Sequence, residues 1–194
     1  MSRLVQGDVG SGKTAVAAGV AFTVIQNGFQ AAMMAPTEIL AEQHARSLTS
    51  LLEKGGIRVG LLTGSLAAAE KRQVLADTAQ ALGDGRIQLV IGTHALLGDQ
   101  VAFQNLGLVI TDEQHRFGVA QRAALAAKGE NPHLLVMSAT PIPRTLALIL
   151  YGDLDVSALD ELPPGRTPVE TYVVHEDKRQ RMYNFVRKLV GEGR

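Results

Sequence analysis

Gly7-Asp8-Val9-Gly10-Ser11-Gly12-Lys13-Thr14 is the stretch on which the reading of this chain turns. It fits G-x-x-x-x-G-K-[ST] at every specified position, the spacing of a phosphate-binding loop. A phosphate group needs several donors converging on a small volume. Glycines let the backbone wrap the anion with its N–H groups inward, at φ values other residues resist. A helix starting at Lys13 adds the positive end of its dipole. The Lys13 ammonium can bridge β- and γ-phosphates, and the Thr14 hydroxyl can ligate Mg²⁺, so ATP and Mg²⁺ are the expected ligands. A plain glycine-rich turn is the ordinary alternative. The context counts against it, because a short apolar strand (3–6) precedes the loop and an apolar helix (13–26) follows it.

Outward from the loop, apolar runs predict further strands over 30–35, 58–62, 87–92, 106–111 and 134–138. They are apolar on both faces, as in parallel strands covered on each side. Helical spacing between them predicts helices over 38–54, 67–82, 119–127 and 143–150. The alternation implies an α/β fold, a doubly wound parallel sheet whose chemistry sits beyond the C-terminal ends of the strands. The 194 residues suffice for one such domain, predicted over 1–158. The proline-rich segment 159–168 reads as a linker. Beyond it a strand over 169–174 and a helix over 177–191 have no sheet of their own to cover, which suggests a second domain cut short. The chain also enters its first core strand at once, so a preceding part is expected.

Nineteen Lys and Arg balance nineteen Asp and Glu, so any nucleic-acid binding must come from a local patch. The absence of Cys excludes disulfide scaffolds, thiol nucleophiles and thiolate zinc sites. No signal peptide or membrane-spanning run is visible, and the chain reads as cytoplasmic.

The strand at 106–111 ends in Asp112-Glu113-Gln114-His115. A carboxylate at the end of a neighbouring strand is the second half of the P-loop arrangement, where Asp112 holds Mg²⁺. Glu113 is placed to orient and deprotonate the water that attacks the γ-phosphate. The alternative, two acids capping the next helix, loses force once a phosphate loop lies in the same sheet.

Together these motifs resemble superfamily 2 helicases. Residues 7–14 and 112–115 look like motifs I and II, Ala35-Pro36-Thr37-Glu38 like motif Ia, and Thr63-Gly64 like motif Ib. Gly92-Thr93-His94 looks like the next DNA-facing motif and Ser138-Ala139-Thr140 like motif III. The stretches 112–118, 139–145, 151–157 and 162–166 are similar to the RecG-type bacterial branched-DNA helicases; transcription-repair coupling factors share much of the pattern. The resemblance implies a RecA-like P-loop NTPase lobe, the first of two motor lobes, with a branch-separating wedge domain before Met1 and the rest of a second lobe after Arg194. It implies a bacterial, nucleoid-associated protein that remodels stalled forks and Holliday junctions in repair and recombination. Gln114 and His115 would join residues 7–14 in binding nucleotide, and residues 138–140 would couple phosphate state to DNA.

Pro36, Thr37, Thr63, Gly64, Thr93 and His94 each follow a predicted strand and so share one sheet edge. Small hydroxyls and free amides there suit DNA phosphates; ordinary strand-to-helix turn chemistry, with Thr37 as a helix cap, is the competing reading. A P-loop kinase or a non-catalytic nucleotide-binding module are the rival functions, though no acceptor site is evident and the acid pair favours water.

Overall fold

The computed structural model describes residues 1–80, 86–112, 119–139, 154–161 and 171–193. The chain divides into two compact units, Met1–Pro163 and Pro164–Arg194. In the first, seven strands form one sheet: β1 (Ser2–Gly7), β2 (Gln30–Met34), β3 (Val59–Leu62), β4 (Leu89–Gly92), β5 (Leu106–Thr111), β6 (His133–Ser138) and β7 (Asp155–Leu159). Their order is β3-β4-β2-β5-β6-β1-β7, and every pairing is parallel. All C-terminal ends therefore lie at one edge.

Successive residues of each central strand enter opposite cores, which is the period-two geometry of a strand covered on both faces. On one face Val5, Met33, Ile91, Ile110 and Met137 pack with α1 (Lys13–Gln26) and α2 (Glu38–Leu52). On the other, Met34, Leu62, Val90 and Val109 pack with α3 (Ala68–Ala79) and α4 (Val119–Ala126). Buried Ala17, Ala18 and Ala21 make α1 slender where it crosses the sheet. Among the described residues no helix is long and apolar enough to cross a membrane.

Several expectations change at the ends of elements. The helix predicted to reach residue 54 stops at Leu52 and tightens into a 3₁₀ turn, Glu53–Gly55, before Gly56 at φ 71°; Gly is the residue that tolerates that left-handed exit. The helix predicted over 143–150 lies outside the described residues. Strand β7 was not expected, and it draws Leu159 out of the predicted linker. Its Asp155-Val-Ser-Ala-Leu159 sequence carries the short, half-polar pattern of an edge strand. In the second unit, residues 171–174 form no strand. Tyr172 and Val173 are 76% and 92% exposed, and positions 169–170 of the predicted strand lie outside the described residues. The helix there, α5 (Arg179–Gly191), follows a 3₁₀ turn at Glu176–Lys178.

Candidate nucleotide site

The phosphate loop leaves β1 at Gly7 and enters α1 at Lys13. Gly7 lies opposite Leu159 of β7, so a Cβ there would come within 2.5 Å of Ser11 Oγ and 2.9 Å of Leu159 Cβ. Gly12 takes φ 95° as the cap of α1 and offers no side chain to the first turn. Ala15 N and Val16 N donate to Gly12 O, which leaves the first amides of α1, at Lys13 and Thr14, for an anion. Lys13 arches over the loop, its Nζ donating to the Gly7 and Asp8 carbonyls at 2.7 and 2.8 Å. Among the described residues Ser11 Oγ is buried with no partner. An unspent hydroxyl, uncapped amides and a centred ammonium are the donor set of a phosphate cradle, and these residues fit a triphosphate. Beside the loop, Gln6, Gly7, Asp8, Ala139, Ala158 and Leu159 line a hollow of about 430 Å³. A larger hollow of about 670 Å³ lies at the opposite, N-terminal edge, around Met1, Gly107 and His133, away from this chemistry.

Asp112 follows β5, two strands from β1. The sequence reading put it on a neighbouring strand; β6 intervenes. Thr111 is level with Val136, and Val136 with Leu4. Continuing that register sets Asp112 level with Val5, two residues below Gly7. Two strand spacings, roughly 10 Å, separate the backbones at the same edge, a span that side chains and a hydrated ion between them can close. Asp112 is 7% exposed. Its amide donates to Met34 O at 3.1 Å, and its Oδ2 accepts from His44 Nε2 of α2 at 2.7 Å. A hard carboxylate oxygen opposite a half-buried Thr14 hydroxyl suits Mg²⁺. Ser138, 1% exposed, ends β6 between these two strands, with Ala139 after it. Glu113, Gln114, His115 and Thr140 lie outside the described residues.

The edge formed by β3, β4 and β2 carries the six residues read as DNA-facing. Its hydroxyls and amides are less free than the sequence reading supposed. Thr63 and Thr93 are each 2% exposed; each is the first residue after a buried strand, β3 or β4, and is itself buried. Thr37 caps α2, its hydroxyl accepting from Leu40 N at 3.3 Å. The Gly64 amide is taken: Glu38 Oε1 accepts from Gly64 N and Ser65 N at 2.8 and 3.1 Å, and Oε2 from Ser65 Oγ at 2.6 Å. Hydrogen bonds from Ser65, hydroxyl first, then amide, hold the Glu38 carboxyl below the usual carboxylate range. Thr37, Gly64 and His94 are exposed and Pro36 half-exposed. Sequence reasoning missed His44, Glu38, Ser65 and Leu159. His44 was detectable as the one polar residue on the buried stripe Ala41, His44, Leu48, Leu52 of α2.

With this geometry in place, the family comparison is decisive: residues 1–149 match the DEAD/DEAH box helicase model. The chain belongs to that family. The whole of this helicase chain is 55% identical to the ATP-dependent DNA helicase RecG of Synechocystis and 54% identical to that of Bacillus subtilis. It covers 23% and 28% of those proteins, about a quarter of their length. A RecG structure bound to a three-way DNA junction superposes over the entire chain with a TM-score of 0.79 at 49% identity, matching 25% of that protein. A DEAD box protein from Methanococcus jannaschii shares the fold over 82% of the chain and 46% of its own, with a TM-score of 0.62 at 23% identity. The RecG-type helicase resemblance carried by the motifs thus extends along the full sequence, on a RecA-like lobe.

Proposed function

We propose that residues 1–158 form the ATP-hydrolysing lobe of a motor that moves on double-stranded DNA and remodels branched junctions in repair and recombination. The observation that carries this reading is the common edge: the cradle with Lys13 and Thr14, and Asp112 two strands away, face the same side of the sheet. In the working protein, Lys13 and the loop amides hold the phosphate charge. Thr14 and Asp112 would hold Mg²⁺, which supplies charge neutralisation between the β- and γ-phosphates when bound. Glu113 orients the attacking water and accepts its proton; Gln114 and His115 contact the nucleotide. Ser138, at the end of the strand between cradle and metal ligand, acts with Ala139 and Thr140 to transmit phosphate state toward DNA.

The DNA reading draws on the relatives' description as DNA helicases and on the RecG structure holding a three-way junction. Here the exposed loops at Thr37, Gly64 and His94 lie against DNA phosphates beside Pro36, while Thr63 and Thr93 brace the loops from inside. Residues 169–194 begin a second motor lobe, and a wedge domain completes the protein, which acts in the bacterial cytoplasm at the nucleoid. ATP hydrolysis by the full-length protein, measured with forked, linear duplex and single-stranded DNA, tests this. Stimulation is expected to be greatest with the fork. Hydrolysis indifferent to every DNA would overturn the motor reading.

A further inference from the structure

We infer that His44 is a positioning residue for metal binding: by holding Asp112 Oδ2 it fixes the carboxylate so that Oδ1 serves the Mg²⁺. The inference rests on Asp112 being a metal ligand, as proposed above.

The contact is unusual for its place. The buried stripe of α2 is otherwise Ala41, Leu48 and Leu52, and the His44 and Asp112 side chains are each only 10% exposed. Withdrawing a carboxylate and an imidazole from water is costly, and apolar residues at both 44 and 112 would pack without that cost. The pair is therefore a poor device for stability alone. A carboxylate can only accept when ionised, so Nε2–H is the donor across the 2.7 Å contact.

Asp112 has a second anchor, its amide on Met34 O. Met34 ends β2, and α2 begins four residues later. Both anchors therefore come from one β2–α2 unit, one gripping the backbone of Asp112 and the other a side-chain oxygen. Together they fix the direction of the remaining oxygen. Carboxylate ligands to metals are commonly held by such outer hydrogen bonds, whose loss costs about 10–100-fold in metal affinity or activity.

The test is Mn²⁺ binding to the full-length protein with ADP present, followed by electron paramagnetic resonance, for His44→Leu, His44→Gln and Asp112→Asn. Metal-free ADP affinity is measured alongside, in EDTA. His44→Leu is expected to weaken Mn²⁺ binding by about 10–100-fold and to leave metal-free ADP affinity within about twofold of wild type. His44→Gln, whose amide can place a donor near Nε2, is expected to recover most of the loss. If His44→Leu does not fold, His44→Asn replaces it, because its shorter amide falls short of Oδ2; it should lose the affinity that His44→Gln keeps. Mn²⁺ binding as tight as wild type or tighter in His44→Leu, with Asp112→Asn impaired, overturns the positioning role. Unchanged binding in Asp112→Asn instead overturns the assignment of Asp112 as ligand, and the inference falls with it.

Discussion

The C-terminal edge of the sheet has two halves that treat their polar groups in opposite ways. Around β5, β6 and β1, some donors are left unspent: α1 has no side-chain cap, and among the described residues Ser11 Oγ is buried without a partner. Around β3, β4 and β2, most are already engaged, the buried Thr93 hydroxyl apart. Glu38 closes over the 64–65 loop, and Thr37 caps its own helix. The difference follows from the ligands each half suits. A triphosphate is small and highly charged, so a cradle built in advance gains from every convergent dipole. A DNA backbone is long and passes over a surface, so it needs loops of fixed shape more than a pocket. Helix α2 spans the two halves, with Glu38 at its start and His44 nearly two turns on.

The comparison breaks first at the catalytic water. Glu113→Gln in the full-length protein is expected to lower ATP turnover by about 10²–10⁴-fold while nucleotide affinity is kept, since the proton acceptor is lost and the cradle is not. Lys13→Ala should lower turnover by about 10²–10³-fold and weaken nucleotide binding as well. Fluorescent-nucleotide titration beside steady-state turnover separates the two. Equal losses of affinity in both variants would merge the two roles proposed for Lys13 and Glu113.

On the other half the effects are smaller. Glu38→Ala frees the Gly64 and Ser65 amides and loosens the loop; DNA-stimulated turnover is expected to fall several-fold with basal turnover unchanged. The pH dependence has a definite sign. Because the Glu38 carboxyl is held below its ordinary range, its grip on the loop is complete above the unfolded value of about 4.3 and fades as pH falls through the lower, folded one. Amide chemical shifts of Gly64 and Ser65 followed by NMR should stay constant down to that region and move together below it. Movement near neutrality would mean another group controls the loop.

The legible part of the molecule was whatever repeats or converges in sequence. Apolar runs exposed six strands, and helix 13–26 was fixed at both ends, by the glycine loop before it and Asn27-Gly28 after it. What escaped depends on partners distant in sequence. Strand β7 pairs with the edge that β1 offers, where Arg3 reaches Ser157 and Asp155 at 2.7 and 3.3 Å; the half-polar pattern of residues 155–159 is too weak a signal to announce it alone. The run at 169–174 is strand-like in composition, yet its described part, 171–174, forms no strand. His44 and Asp112 are 68 residues apart, and the topology that joins them, with β2 inserted between β4 and β5, is invisible to local periodicity. Thr63 and Thr93 show a related limit: a position just after a strand is readable in the sequence, but the burial of its side chain is not.

That last point yields the smallest effect and the sharpest discrimination. Thr93 Oγ1 is buried and bonds to nothing among the described residues, so the fold bears the desolvation cost of a hydroxyl without a hydrogen bond in return. Thr93→Val keeps the shape and removes the unpaired group, which is expected to be neutral or to stabilise by about 1 kcal/mol, a rise of about 2–4 °C in Tm for a domain of this size. DNA-stimulated hydrolysis should be unchanged, because a side chain 2% exposed cannot reach a phosphate. A variant that is more stable yet loses DNA stimulation would show that DNA draws the Thr93 hydroxyl out of the core. The β3-β4-β2 half would then be a surface that reorganises on binding, and its difference from the preformed phosphate cradle would be one of timing rather than of design.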